Sequence, residues 1–307
     1  MKLKNIVTAV MVACSLCAWA DDEITVGTYN IRMGVADGGT PNAWCARKSD
    51  LVKFIAKLDM DVFGMQEVMP SQARYITNSL PQYAMIGDYR EADRVSGEAS
   101  SVCYRKERFD VLKSGTFWLS ETPDIPGKKG WGAACPRICT WAILKDRQTG
   151  KVFTFANAHT DHKSALARKE GMLLIVRRMK EFSPSGVPIV FVGDHNCRET
   201  DEPAQAVSKV LVNSFYSSKT PPEGSWRTLS CWKWCDKELP AVEALKFPIE
   251  ERNSKTFKGG ARIDYIYVSK GVEVLCHKTH SDSRPGTQLY PSDHFPVTAK
   301  LSLPSVK

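Results

Sequence analysis

Val187-Pro188-Ile189-Val190-Phe191-Val192-Gly193-Asp194-His195-Asn196 decides how the rest of the chain reads. Val187 to Val192 is a short apolar run rich in β-branched and aromatic residues, the signature of a strand. It ends on Asp194 and Asn196, polar groups set directly against apolar chain. A charge in that position is costly unless it is paired or binds a metal. One such strand end could simply be exposed, so the question is whether the pattern repeats.

It repeats five times. Asn30 follows Val26-Gly27-Thr28-Tyr29, and Glu67 follows Val62-Phe63-Gly64-Met65-Gln66. His159 ends Phe153-Thr154-Phe155-Ala156-Asn157-Ala158. Asp264 sits in Arg262-Ile263-Asp264-Tyr265-Ile266, and Asp293 and His294 precede Phe295-Pro296-Val297. Six strand ends carrying carboxylates, amides and imidazoles point to one convergent site. The strand-like runs are Ile24 to Ile31, Asp61 to Val68, Ala99 to Arg105, Thr140 to Lys145, Val152 to His159, Val187 to Val192, Ile263 to Val268 and Phe295 to Leu303. Leu51, Phe54, Ile55 and Leu58 have helical spacing, and a longer helix is predicted from Leu166 to Phe182, with Pro184 just past its end. Strands mixed with helices predict an α/β fold.

Composition narrows the class. Of 307 residues, 25% are charged and 43% apolar, which excludes disordered, collagenous and coiled-coil chains. The formal charge of +8 suits a polyanionic partner without identifying one. Lys2 and Lys4, the apolar stretch Ile6 to Ala18 and Ala18-Trp19-Ala20 predict a signal peptide over 1–20 and a single domain over 21–307. Export to periplasm or medium follows, with no stable membrane insertion and no obligate protein partner. Eight cysteines remain beyond that leader, an even number that predicts disulfides in an exported chain. Cys135-x3-Cys139 and Cys231-x3-Cys235 fit zinc half-sites loosely, with no neighbouring His to complete them. Ser120 to Pro136 and Ser217 to Lys258 read as long surface loops, the latter an excursion and not a domain boundary.

Several carboxylates with an Asn are oxygen donors suited to Mg²⁺ or Mn²⁺. Two histidines supply acid–base or transition-state hydrogen bonding. Walker A, dinucleotide and G-x-S-x-G motifs are absent from the sequence. The residues therefore point to metal-assisted hydrolysis of a phosphoester.

The ordered set Thr28-Tyr29-Asn30-Ile31-Arg32, Gln66-Glu67-Val68, Asn157-Ala158-His159, Gly193-Asp194-His195-Asn196, Arg262-Ile263-Asp264-Tyr265 and Ser292-Asp293-His294-Phe295-Pro296 resembles the endonuclease/exonuclease/phosphatase superfamily. The resemblance spans nearly the whole chain beyond the leader. It implies a four-layer α-β-β-α sandwich with two packed mixed β-sheets. It implies Glu67 as principal metal ligand with Asn30 beside it and Asp293 completing the site. It implies His294 as the acid–base imidazole held by Asp264, and Asp194 and Asn196 positioning nucleophile and phosphate, with both Asp194 and His294 open as the base. His159 would bond a non-bridging phosphate oxygen, with Glu98 as its partner, and Arg137 would clamp phosphate.

Position 195 usually carries an aromatic or aliphatic residue in this motif, so His195 is expected in the core between the sheets, with a third site imidazole as the alternative. His162 is expected to make a structural hydrogen bond, and His277 and His280 to be surface or structural. Trp118 and Trp131 are expected to pack, with base or sugar stacking by Trp131 as the rival. Phe117-Trp118-Leu119-Ser120, Lys128-Lys129-Gly130-Trp131 and Pro136-Arg137 resemble a bacterial exported subgroup nearest the nocturnin-like branch. That implies a phosphate-ester substrate, possibly nucleic acid, and hence a metal-dependent phosphodiesterase or nuclease. The alternative is an inositol-phosphate phosphatase or a sphingomyelinase-like phospholipase C.

Overall fold

β1 (Glu23–Asn30) opens the part of the chain that the computed structural model describes, residues 22–304. The predicted leader, 1–20, lies outside the described residues. The chain continues through α1 (Trp44–Leu58), β2 (Val62–Val68), α2 (Pro70–Ser79), β3 (Tyr83–Ile86), β4 (Ala99–Arg105) and β5 (Phe109–Trp118). Then come β6 (Ile138–Asp146), β7 (Val152–His159), α3 (Ala165–Phe182), β8 (Ile189–Asp194), α4 (Glu202–Ser208), β9 (Val212–Asn213) and α5 (Ser214–Ser217). The long excursion holds β10 (Glu223–Gly224), α6 (Ala241–Ala244) and α7 (Ile249–Arg252). β11 (Asp264–Val268), β12 (Glu273–Thr279) and β13 (Val297–Ser302) close the fold.

The strands form two mixed sheets, ordered β10-β12-β13-β1-β2-β4-β3 and β5-β6-β7-β8-β11-β9. β1 runs parallel to β2 and antiparallel to β13, and β7 runs parallel to β8. Val26, Val62 and Val102 of the first sheet pack on Phe155, Val190 and Val192 of the second, forming the central core. Leu51, Phe54 and Ile55 of α1 and Ile76 of α2 cover the outer face of the first sheet. Met172, Ile175 and Met179 of α3 cover the second. This is the expected four-layer sandwich. Trp226, Ala241 and Ala244 of the excursion form a small separate core with Phe215 of α5.

Two glycines let the layers come close enough to build the site. A Cβ at Gly193 would lie 2.0 Å from the Ala158 carbonyl oxygen, so glycine alone permits the pairing that sets His159 opposite Asp194. A Cβ at Gly64 would lie 2.4 Å from Asn157 Cγ. That space lets Asn157 Nδ2 cross between the sheets and donate to Met65 O at 2.9 Å and Ser101 O at 2.8 Å. Gln66 Nε2 in turn donates to Asn157 Oδ1 at 2.6 Å. Asn157 is thus a buried strut whose polar atoms are bonded, as burial demands.

The predicted disulfides are not formed: all eight described cysteines are free thiols. Cys103 is sealed in the layer under α1, and Cys139 and Cys197 in the layer under α3, where burial pushes their thiol pKa values up. Cys139 is buried while Cys135 lines a cleft, so that pair forms no zinc half-site.

Candidate active site

Glu67 stands where β2 breaks register with β4, between Met65 and Val68. Its φ is +61°, a left-handed conformation that a side-chain-bearing residue adopts at a cost of about 1–3 kcal/mol. A bulge of this kind re-aims a side chain. Here Glu67 Oε2 accepts from Met33 N at 2.8 Å and Oε1 from Asn30 Nδ2 at 3.0 Å. Asn30 Nδ2 also donates to Asp194 Oδ2 at 3.0 Å, joining the first sheet to the second. Asn196, with φ +46°, donates its backbone N–H to Asp194 Oδ1 at 3.0 Å.

His294 precedes β13 and Asp264 begins β11, so their contact also crosses between the sheets. His294 Nδ1 lies 2.9 Å from Asp264 Oδ2, and Nε2 lies 3.7 Å from Asp194 Oδ2. Burial alone would lower the imidazole's pKa, but the charges of Asp264 and Asp194 outweigh it and hold it well above the ordinary value. Burial and the charge of Asp264 push Asp194 up, against the opposing pull of His294. Burial and Glu67 likewise raise Asp293. His159 behaves oppositely: burial, then the Arg137 cation, push its pKa well down. Its Nε2 lies 3.0 Å from Asn196 Nδ2, and its Nδ1 is buried without a partner.

Asp264, buried and bonded to His294, is not in the lining, nor is Asn30; the other eight predicted site residues line one cleft of about 540 Å³. Asn30 is wholly buried just behind it. Glu98 is there, but its partner differs from expectation. It is ion-paired with Arg90 Nη1 at 2.8 Å and makes no described hydrogen bond to His159. A full cation outcompetes a neutral imidazole for a buried carboxylate. Arg137 is held by His162 Nδ1 at 2.9 Å and Asp161 Oδ2 at 3.8 Å, which gives His162 the structural role expected of it.

Sequence reasoning missed three contributors. Arg90 and Lys163 line the cleft. Arg47 of α1 is fully buried and donates to the carbonyls of Ile31, Arg32, Asn42 and Pro291, tying the segment after Asn30 to the segment before Asp293. Its spacing within an amphipathic helix offers no hint of this, because its partners are backbone atoms of distant loops.

His195, His277, His280, Trp118 and Trp131 are not among the residues that line the cleft. His277 is buried against Ser214 Oγ at 2.9 Å, and His280 Nε2 lies 2.8 Å from Thr298 Oγ1. Trp131 packs on the core under α3, and Trp118 is buried. His195 is buried, but not between the sheets. It stacks on Phe191 at 4.6 Å and Tyr267 at 5.7 Å in the layer between the second sheet and α3, with both ring nitrogens unpartnered. Burial drives its pKa down to about 3. The unfolded chain takes up that proton near pH 6.5, the folded chain only near 3, so stability falls as pH drops through that window. His195→Phe removes the loss. Relative to wild type, the variant is expected to gain about 2 kcal/mol between pH 8 and pH 5, read by urea denaturation at both pH values. An equal offset at the two pH values would show that the imidazole is not held neutral.

The sequence profile of the Endonuclease/Exonuclease/phosphatase family matches residues 27–294, from β1 through His294. The chain belongs to the endonuclease/exonuclease/phosphatase family. A family protein from Bacteroides thetaiotaomicron is 32% identical, with 92% of this chain and 98% of that one covered and a TM-score of 0.79. A mannosyl-6-phosphatase from the same organism is 33% identical, with coverage of 91% and 99% and a TM-score of 0.77. The human nocturnin catalytic domain, 16% identical with coverage of 92% and 94%, shares the fold at a TM-score of 0.64. A search among curated proteins returns no match.

Endonuclease/exonuclease/phosphatase enzymes hydrolyse phosphoester bonds and typically depend on a divalent metal. The donors present fit such an ion. Glu67, Asp293 and Asp194 are hard oxygen donors around one cleft; burial raises the pKa of Asp194 and Asp293, with the charge of Asp264 adding to the first and that of Glu67 to the second. A divalent cation would offset these charges. Asp194, Asp264 and His294 also form the metal-sized cluster found among the described residues, but Asp264 is already engaged by His294.

Proposed function

We propose that this protein is a Mg²⁺- or Mn²⁺-dependent phosphatase acting on a small hydroxylated phosphomonoester such as a sugar phosphate. One observation carries the substrate class. The cleft is lined by Arg32, Arg90, Arg137 and Lys163 and, among the described residues, by no Phe, Tyr or Trp. Proteins that handle single-stranded nucleic acid rely on aromatic platforms for the bases. A phosphate on a polyol needs cations and polar groups instead. The relative described as a mannosyl-6-phosphatase supports the same choice. The weight thus moves from the nuclease expected in the sequence to the phosphomonoesterase alternative.

In this reading Glu67 and Asp293, with Asn30 beside them, hold the cation, which polarises the phosphate oxygens and offsets their charge. Arg137 binds the phosphate, helped by Arg90, which Glu98 orients. His159, kept neutral by burial, hydrogen-bonds a non-bridging oxygen. Asn196 and Asp194 position the phosphorus and the attacking water. His294, oriented through Nδ1 by Asp264, moves the proton at Nε2. The pattern of residues 1–20 puts this activity outside the cytoplasm, and no helix among the described residues is long and apolar enough to cross a membrane.

Hydrolysis tests the reading, with Mg²⁺ or Mn²⁺ and with EDTA: release of inorganic phosphate from hexose 6-phosphates and inositol phosphates, of phosphocholine from sphingomyelin, and of shortened strands or nucleotides from single-stranded DNA and RNA. EDTA-sensitive release from hexose phosphates, with nucleic acid left intact, is the expected result. Nucleic-acid cleavage with the same metal dependence would restore the nuclease reading.

A further inference from the structure

A second cavity, of about 580 Å³, opens on the long excursion beside the catalytic cleft. Two chain segments run from one to the other. Arg227 lines the second cavity and Leu229 the cleft. At full extension the chain between them spans about 7 Å. Gly259 lines the cavity and Ile263 the cleft, and Leu229 N bonds Ala261 O between them. Thr228 locks this junction to the catalytic residues. Its Oγ1 accepts from Asp264 N at 3.1 Å, and its carbonyl accepts from Phe295 N at 2.7 Å. A molecule with its phosphate in the cleft could extend directly into the cavity.

The lining says what would fit there. Phe247 and Phe257 meet edge to face, at 72° and 5.3 Å between centroids, so they leave no parallel slot for a planar base. Phe247 is 39% exposed and offers an open apolar face. Around it stand Lys237 and Lys258 as donors and Glu251 as an acceptor, none in a described ion pair. An acyl chain would strip these polar groups of water without replacing their hydrogen bonds. A second phosphate would meet Glu251. A ring with an apolar C–H face and a rim of hydroxyls satisfies both the aromatic ring and the mixed donors and acceptors.

We propose that the second cavity is a carbohydrate subsite, holding an uncharged sugar ring of a phosphorylated oligosaccharide whose phosphate-bearing ring occupies the cleft. The proposal rests on the sugar-phosphate reading of the cleft. Two measurements separate it from that reading. In the first, neutral gluco-, manno- and galacto-trisaccharides are titrated calorimetrically into the metal-free protein and into Phe247→Ala and Lys258→Ala, exposed positions whose loss leaves the core intact. Binding of at least one trisaccharide is expected, weakened roughly tenfold by Phe247→Ala. In the second, kcat/KM is compared for a hexose 6-phosphate and for the same phosphate on a trisaccharide. The longer substrate is expected to be favoured roughly tenfold, with Phe247→Ala erasing the advantage and leaving the hexose phosphate unchanged. No trisaccharide binding, or equal rates on the two substrates, overturns the subsite. Trisaccharide binding without phosphate release from any sugar phosphate overturns the reading of the cleft and leaves the subsite standing.

Discussion

Replacing His294 with alanine is expected to lower kcat by roughly 10²–10⁴-fold, the loss typical of a positioned acid–base group. The geometry supports an effect of that size. Asp264 holds Nδ1 at 2.9 Å, so the ring cannot turn and Nε2 faces Asp194 and the cleft. Asp264 itself is buried, and its Oδ1 has no partner. Removing the imidazole leaves that carboxylate without a counter-charge, which costs stability as well as rate. His294→Gln therefore belongs beside the alanine variant. Its amide can still donate to Asp264, so the fold is spared while proton transfer is lost. Equal kcat loss in both variants, with the glutamine protein as stable as wild type, marks a chemical role. Full activity in either variant would sink the assignment.

Glu67→Gln is expected to raise the Mg²⁺ or Mn²⁺ concentration for half-maximal activity by at least roughly 10–100-fold. Glutamine has nearly the same shape, so the bulge and the backbone at φ +61° can persist. The chemistry does not. Both carboxylate oxygens accept hydrogen bonds, from Met33 N and Asn30 Nδ2. Either orientation of a glutamine amide sets an NH₂ against one of those donors, and one unit of negative charge leaves the cleft. Direct Mn²⁺ binding, followed by calorimetry, separates lost affinity from lost turnover. An unchanged metal requirement and unchanged Mn²⁺ affinity would remove Glu67 from the metal site.

Much of the fold was legible along the chain, but β3, β5, β12 and the two-residue β9 and β10 were not. β3 and β5 are edge strands, and the middle of β5, from Leu112 to Ser114, is exposed. Such a strand packs on one side, so it lacks the dense apolar run that marks β8 or β11. α2 starts at Pro70 with two of its ten residues buried, too few for a visible stripe. The disulfide expectation failed for a related reason. Cysteine parity counts residues but says nothing of which layer each occupies, and Cys103 lies in a different layer from Cys139 and Cys197.

By itself the sequence determined which residues stand at the ends of the central strands, and with them the family and the reaction class. Those features are local, since a strand and the polar group closing it are neighbours along the chain. Tertiary structure alone decided who meets whom. Asn30 reaches Asp194 across 164 residues, and Ser292 Oγ donates to Asn30 O across 262. The stacking of His195 on Tyr267 under α3 and the tie from Arg47 to Pro291 join segments far apart in sequence, and Glu98 meets Arg90, eight residues away, because the chain turns back between β3 and β4. No periodicity encodes them; they follow from which faces of the two sheets close on each other and which helices cover the outside.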